Sequence, residues 1–314
     1  FKNPKAAGLA RNRVLGRMVD EGFLSRGEAD VLLKKETNAV KNDGRNNQPR
    51  YLLAKVKEEA IRILGKDHLE GIEIQTSINP VIQRAGETAI SRQVEQIEET
   101  ETAEFTHPTR ADFHSGKVNA PDYLQGSAVV IENETGRIIC AVASRDMQES
   151  EYDRVSLSLR PAGTAFAPFV YAAAFESEVI TPAGPLFDAP IDNREVMLGG
   201  EEGVLGEWGA EGEANQYLGK IPAGTALIDG KNAATVRLGF QVGLDAVKDV
   251  AYRSGIYSEL PEYPSTFLGA GEVSLLALTH AYTIFPGSGI RAGKTGMIDR
   301  IVNRSGKILY SRES

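Results

Sequence analysis

Apolar residues recur every three or four positions over the first forty residues, and this spacing predicts two short helices. The pattern runs through "LARNRVLGRMVDEG", breaks near Gly22 and restarts in "GEADVLLKKE". Ser25 and Glu28 have the spacing of a capping box at the start of the second helix. The predicted apolar face of the first helix consists of Leu9, Val14, Leu15, Met18 and Val19.

The next hundred residues combine helical and alternating patterns. The polar stretch "KNDGRNNQP" predicts a linker, and "YLLAKVKEEAIRILG" predicts an amphipathic helix. "IEIQTSI" alternates and is β-branched, which predicts a strand that ends at Asn79-Pro80 before a helix over 81–98. The acidic run "EQIEETETAEFTH" is interpreted as the solvated end of that helix and a loop.

The strongest β pattern is "GSAVVIENETGRIICAVAS", two apolar strands joined by a turn at 133–136. Their continuous apolar character predicts a sheet that is covered on both faces. Helical patterns follow at 224–243, 244–255 and 272–285, and a final hairpin is predicted at 296–310.

Between these regions, "RPAGTAFAPFVYAAAFE" begins a helix that has the frame of a nucleophile motif. Pro168 is tolerated only in a first turn, so the helix is predicted to start near 163–165. In S-x-x-K acyl transferases a serine at such a start is followed, one turn later, by a lysine that takes its proton. Here those two positions hold Thr164 and Ala167, and a lone threonine there is ordinarily an N-cap.

Composition narrows the functional classes. The 314 residues carry a formal net charge of −8, and no basic stripe with interleaved aromatics indicates nucleic-acid binding. The single cysteine, Cys140, excludes an internal disulfide and is predicted to be a buried, inert thiol. No run of eighteen apolar residues is present, and the start at Phe1 suggests a fragment that a leader or anchor could precede.

Neither a nucleotide site nor a metal site is predicted. Gly293-Lys294-Thr295 lacks the first glycine of a phosphate loop, since Ser288 stands there, and it follows a helix rather than a strand. No cofactor or metal is expected, because the histidines show no ligand spacing and the acidic run has no calcium-loop pattern. The four histidines are His68, His107, His114 and His280, of which His280 is interpreted as a core residue with satisfied hydrogen bonds.

Nearly the whole chain resembles class A penicillin-binding proteins, the bifunctional peptidoglycan synthases. "RPAGTAFAPFVYAAAFE" is similar to the family's P-G-S-x-F-K-P nucleophile segment, and "GTALIDGKNAATVRLGFQVGLDAV" to the segment around its S-x-N motif. "SAVVIENETGRIICAVAS" resembles the first sheet hairpin, and "RNRVLGRMVDEGFLSRGEADVL" the last helices of the glycosyltransferase domain. The resemblance implies an α+β fold, the penicillin-binding or serine β-lactamase-like transpeptidase fold with an antiparallel sheet flanked by helices.

The same resemblance implies three regions. Residues 1–42 would be the last helices of a glycosyltransferase-like domain, and 43–122 a linker region with helices and a strand. Residues 123–314 would be the N-terminal portion of the transpeptidase domain. The family's sheet has five strands, so the fold is expected to be incomplete at the C-terminal side, with hairpin edges open to pairing with another chain.

The departures from the family pattern concern catalysis. The family's nucleophilic serine corresponds to Thr164 and its lysine to Ala167, while Gly230 replaces the serine of S-x-N and Asn232 keeps the asparagine. The third motif, K-T-G-T, would lie beyond Ser314, and Lys294-Thr295-Gly296 is not that motif. Groups that work as a unit are strongly non-additive, so these losses predict a pseudo-transpeptidase with no functional catalytic residue in this chain.

The implied role is structural: an interaction module in peptidoglycan assembly. Cell-wall assembly proteins are the expected partners, with no nucleic acid, and with a membrane reached only through a segment outside this chain. The expected location is the bacterial cell envelope, at the periplasmic face of the inner membrane. Two alternatives remain: glycosyltransferase activity in residues before Phe1, or weak residual acyl transfer at Thr164.

Overall fold

The computed structural model describes residues 4–34, 50–100, 107–192, 207–208 and 217–312. They form two compact units, Phe1–Arg50 and Tyr51–Ser314. The first unit contains helices α1 (Pro4–Asp20) and α2 (Arg26–Lys34). Both predicted helices are therefore confirmed, and so is the capping box, because the Ser25 amide donates to Glu28 at 2.9 Å and the Glu28 amide to Ser25 Oγ at 3.3 Å.

The predicted apolar face of α1 is only partly buried. Leu15 is 8% exposed, whereas Leu9 and Val14 stay mostly exposed. The predicted linker "KNDGRNNQP" lies outside the described residues.

The second unit contains the remaining elements. Its helices are α3 (Arg50–Leu64), α4 (Pro80–Glu99), α5 (Arg110–His114), α6 (Ala167–Glu176), α7 (Ala223–Ile228), α8 (Asn232–Val242), α9 (Leu244–Ser254) and α10 (Leu275–Ala281). Its strands are β1 (Ile72–Thr76), β2 (Ala128–Ile131), β3 (Ile138–Val142), β4 (Leu159–Pro161), β5 (Pro185–Asp188), β6 (Ile191–Asp192), β7 (Glu207–Trp208), β8 (Gly219–Pro222), β9 (Glu272–Ser274), β10 (Ile298–Asn303) and β11 (Ile308–Ser311).

One antiparallel sheet joins distant parts of the sequence, in the order β1-β10-β11. Ala60 of α3 packs with Ile298 and Ile301 of β10, and all three are fully buried. Glu59 on the same helix accepts the Met297 amide at 2.8 Å. The predicted strand at 72–78 and the predicted final hairpin are both confirmed.

The β2–β3 hairpin is confirmed, and one of its edges is closed by a side chain. The Gln83 side-chain amide on α4 donates to the Ala141 carbonyl at 3.0 Å and accepts the Ala141 amide at 2.9 Å. The Asn79 amide donates to the Ile139 carbonyl on the same edge. The backbone groups on the outer edge of β3 thus have hydrogen-bond partners. The expectation that the edges of the hairpin are open was wrong for this edge.

The largest core surrounds α6, which packs against α8 and α9. All residues of "APFVYAAAFE" except the final Glu176 are apolar or aromatic, so the helix presents apolar side chains in most directions. Phe169, Val170 and Leu238 are fully buried there.

Two predicted helices differ from the structure. Residues 224–243 are divided into α7 and α8, because Gly230 adopts a left-handed φ of 63° between them. Glu272–Ser274, predicted within a helix, instead form β9, which pairs antiparallel with β4. The backbone pairing with β4 outweighs the helical spacing of the apolar residues.

Within the described ranges, no helix is long and apolar enough to cross a membrane.

Candidate functional site

Thr164 lies in the 3₁₀ turn Gly163–Phe166 that leads directly into α6. It is exposed, while Ala167, the first residue of α6, is half-buried. The Ala167 amide donates to the Thr164 carbonyl. Side chains three apart eclipse in a 3₁₀ turn, so positions 164 and 167 have the geometry in which a hydroxyl and an amine would meet. A methyl group stands at the position of the amine.

A close backbone approach fixes this turn. The Gly163 amide donates to the Gly269 carbonyl at 3.0 Å, and the Ala162 amide to the Gly271 carbonyl at 3.2 Å. Gly269 has a φ of 72°, and a Cβ atom there would lie 2.2 Å from the Gly163 oxygen. Only glycine at 269 lets the two segments come this close.

Gly230 and Asn232 flank the start of α8. Gly230 is exposed after the end of α7, and Asn232 is the half-buried first residue of α8. Lys231 between them places Nζ 3.8 Å from the buried carboxylate of Asp188. Lys231 thus forms an ion pair with the last residue of β5.

The structure brings the two motif segments to one region. The helices that they lead into, α6 and α8, pack together, and the hydroxyls of Tyr171 and Thr235 are 3.2 Å apart between them. The 3₁₀ helix Pro264–Leu268 contacts both α8 and the turn that carries Thr164.

An anchor ahead of this turn was not predicted. The buried carboxylate of Asp153 accepts the Tyr51 hydroxyl at 2.9 Å and lies 3.0 Å from Lys55 Nζ. Burial alone would raise the pKa of Asp153, but hydrogen bonds from Ser156, Lys55 and Tyr51 outweigh it and lower the pKa. Asp153 therefore ties α3 to the segment that leads to Thr164, through partners too distant in sequence to form a motif.

A charged cluster centred on Glu149 joins α5 to the segment after β3. Glu149 pairs with Arg110 at 2.8 Å and His114 at 2.9 Å, and it accepts a hydrogen bond from Tyr123. Burial would raise the pKa of Glu149, yet these three donors lower it to about 2. Burial and Glu149 together raise the pKa of Tyr123 to about 12.

A cavity of about 650 Å³ opens beside the candidate site and was also not predicted. Its wall includes Tyr152, Arg154, Ser158, Arg160, Ser274 and Leu278.

The other candidate residues have structural roles. Cys140 is 1% exposed and free, as predicted. His280 Nε2 lies 2.9 Å from the Gly293 carbonyl, which confirms the satisfied hydrogen bond, but the residue is only half-buried and does not belong to the core. The segment with Lys294 leads into β10 rather than into a helix, and the Gly296 carbonyl accepts the Ile138 amide. His68, His107 and His114 belong to no group of three or more potential metal ligands in the part of the chain that the structure describes.

Comparisons with known proteins agree with the fold. No family model matches the chain. The structure of penicillin-binding protein 1A from Haemophilus influenzae superposes with a TM-score of 0.66 at 20% identity, covering 98% of this chain and 56% of that one. The D,D-transpeptidase domain of a peptidoglycan glycosyltransferase from Eggerthella lenta gives 0.57 at 14% identity, covering 82% and 64%.

These structural similarities show that the chain has the α+β fold of penicillin-binding transpeptidase domains. In sequence it is 32% identical over 191 residues to penicillin-binding protein 1A of Rickettsia typhi, which is 61% of this chain and 23% of that protein. The chain is therefore similar in sequence to part of the proteins named penicillin-binding protein 1A, in agreement with the resemblance found in its sequence. It spans about a quarter of the length of the curated relatives that it matches.

Proposed function

We propose that this chain is a penicillin-binding-protein-like module of peptidoglycan synthesis in the bacterial cell envelope, and that its transpeptidase centre does not transfer acyl groups. The sequence similarity to penicillin-binding protein 1A supports the cell-wall role. One observation carries the second statement: the 3₁₀ turn keeps the nucleophile geometry, but Ala167 supplies no base.

The chemistry of the turn explains why this loss is severe. A hydroxyl is a weak nucleophile unless an adjacent base takes its proton. Ala167 has no such group, and the amine of Lys231, the residue after Gly230, lies 3.8 Å from the Asp188 carboxylate. Gly230 also removes the hydroxyl that would pass a proton to the leaving group.

A role without acyl transfer follows from these losses. The folded core around α6 and α8 is retained, so the module can still present surfaces to cell-wall assembly proteins. We propose such a binding role at the periplasmic face of the inner membrane, with the membrane reached through other parts of the protein.

Intact-protein mass spectrometry after incubation with benzylpenicillin at high concentration tests the proposal. We expect no added mass on this chain, under conditions in which a catalytically active penicillin-binding protein is fully acylated. Thr164→Ala is the matched control. A single adduct that is lost in Thr164→Ala would show that Thr164 is a working nucleophile and would refute the proposal.

A further inference from the structure

Two guanidinium groups line the cavity beside the candidate site. Arg154 is held in place by hydrogen bonds to the Tyr152 carbonyl at 3.2 Å and to Ser150 Oγ at 3.1 Å, and it lies 5.4 Å from the centre of the Tyr152 ring. These contacts use two of the five N–H donors of the side chain. Arg160 is exposed on β4, opposite Val273 of β9, which also lines the cavity. The cavity wall therefore carries two positive charges. Arg154 is held in place by its hydrogen bonds, and it has N–H donors left for a ligand.

Neither arginine has a carboxylate within ion-pair distance among the described residues. Elsewhere, Arg110 pairs with Glu149 at 2.8 Å, and the nearly buried Arg145 pairs with Glu98 at 2.7 Å. Acidic residues outnumber basic ones, 43 to 35, so this chain has carboxylates to spare.

The net charge of the cavity lining is positive, because the two arginines face only one carboxylate, that of Asp122. Asp122 lines the same cavity but, among the described residues, forms no ion pair with either arginine. The other titratable groups of the lining are His107, Tyr123 and Tyr152. Burial lowers the pKa of Arg154; Tyr152 and Tyr123 oppose this shift, and the charge of Arg160 adds to it. Like charges that line one cavity repel each other, and a bound anion would relieve this repulsion.

The rest of the wall fits an organic molecule rather than a bare ion. Val273, Leu275 and Leu278 give an apolar side, and the hydroxyls of Ser158 and Ser274 lie in the same lining. A volume of about 650 Å³ is in the range of small-molecule sites, which combine apolar walls with a few polar groups.

We infer that this cavity binds a small organic carboxylate, with the carboxylate held by Arg154 and Arg160 and the apolar part against Leu275 and Leu278. Arginine suits this task because its planar donors match a carboxylate in pairs. The cavity lies beside the Thr164 turn, but its lining includes none of residues 163–166. Binding there needs no nucleophile, so this inference can be tested independently of the proposed lack of acyl transfer.

Isothermal titration calorimetry on the 314-residue chain at low ionic strength tests this inference with N-benzoylglycine as the probe. Its neutral amide has the same shape without the charge, and inorganic phosphate has charge without an apolar part. We expect saturable binding of N-benzoylglycine that is at least about tenfold tighter than binding of either comparison compound.

Two matched variants locate the site. Arg160→Gln removes an exposed guanidinium that has no ion-pair or hydrogen-bond partner among the described residues, so the fold should persist, and we expect affinity to fall about tenfold. Arg304→Gln makes the same change at an exposed arginine in the β10–β11 turn and should leave affinity unchanged. The inference is overturned if N-benzoylglycine does not bind, if its amide or phosphate binds equally well, or if both variants weaken binding to the same extent.

Discussion

At the scale of single residues, the candidate site depends on a glycine as much as on the residues of the catalytic motif. Gly269 allows the backbone of the Thr164 turn to approach, and its φ of 72° is the left-handed conformation that other residues rarely adopt. The geometry of the turn is therefore enforced from another segment, whether or not the turn performs chemistry.

Replacing this glycine should be costly for a specific reason. Gly269→Ala would place a Cβ atom 2.2 Å from the Gly163 carbonyl, so we expect a loss of about 3 kcal/mol in the free energy of unfolding, from clash and backbone strain together. Gly306→Ala is the matched control: its φ is 82°, but nothing lies within 4 Å of the new atom, so about 1 kcal/mol of strain is expected. Urea unfolding measures both, and equal losses would show that the close approach does not matter.

At the scale of elements, side chains rather than neighbouring strands complete the edge of β3. Gln83 occupies the place of a strand residue, since one side-chain amide satisfies both backbone groups of Ala141. Gln83 is 6% exposed, so water cannot readily replace it.

Replacing the side-chain amide of Gln83 should weaken the packing of α4 against β3. Gln83→Leu leaves the Ala141 amide and carbonyl without partners, and each unsatisfied buried group costs about 1–3 kcal/mol. We expect faster hydrogen exchange at the Ala141 amide and a loss of about 2–4 kcal/mol in stability. Gln93→Leu, at an exposed position of the same helix, should change neither, and unaltered exchange at Ala141 in Gln83→Leu would contradict the assigned role.

Elements with a long regular pattern could be predicted from the sequence, whereas those that depend on a distant partner could not. The β2–β3 hairpin and α4 follow local periodicity and occur where expected. The short strand β9 exists because β4 pairs with it, and its residues continue a helical pattern. The Thr164 turn was located from its motif, but the Asp153 anchor joins residues about a hundred positions apart and no local spacing reveals it.

At the scale of the whole molecule, a charge cluster joins α5 to the segments before β2 and after β3. Glu149 gathers Arg110, His114 and Tyr123 around one carboxylate. Its folded-state pKa of about 2 lies below the ordinary value of 4.5, so the ionised form is stabilised by folding.

The free energy of unfolding should therefore decrease between about pH 4.5 and pH 2. The contribution of Glu149 is fully present above about pH 4.5 and is lost as the pH falls toward 2, because protonation then removes the charge that the three donors require. Urea unfolding between pH 6 and pH 2.5 should show a shallower decline for Glu149→Gln than for the unchanged protein. Glu134→Gln, in the exposed β2–β3 turn, should retain the original slope, and parallel curves for all three proteins would refute the assignment.

The order β1-β10-β11 has a consequence for how the protein is made. Ile74 of β1 pairs with Ile301 of β10, more than two hundred residues later in the chain. At a synthesis rate of about 5–20 residues per second, β1 leaves the ribosome about 10–45 s before its partner exists. During that interval its apolar side chains are exposed to other nascent chains. We therefore expect a holding chaperone to increase the yield of folded protein during synthesis more than during refolding of the finished chain.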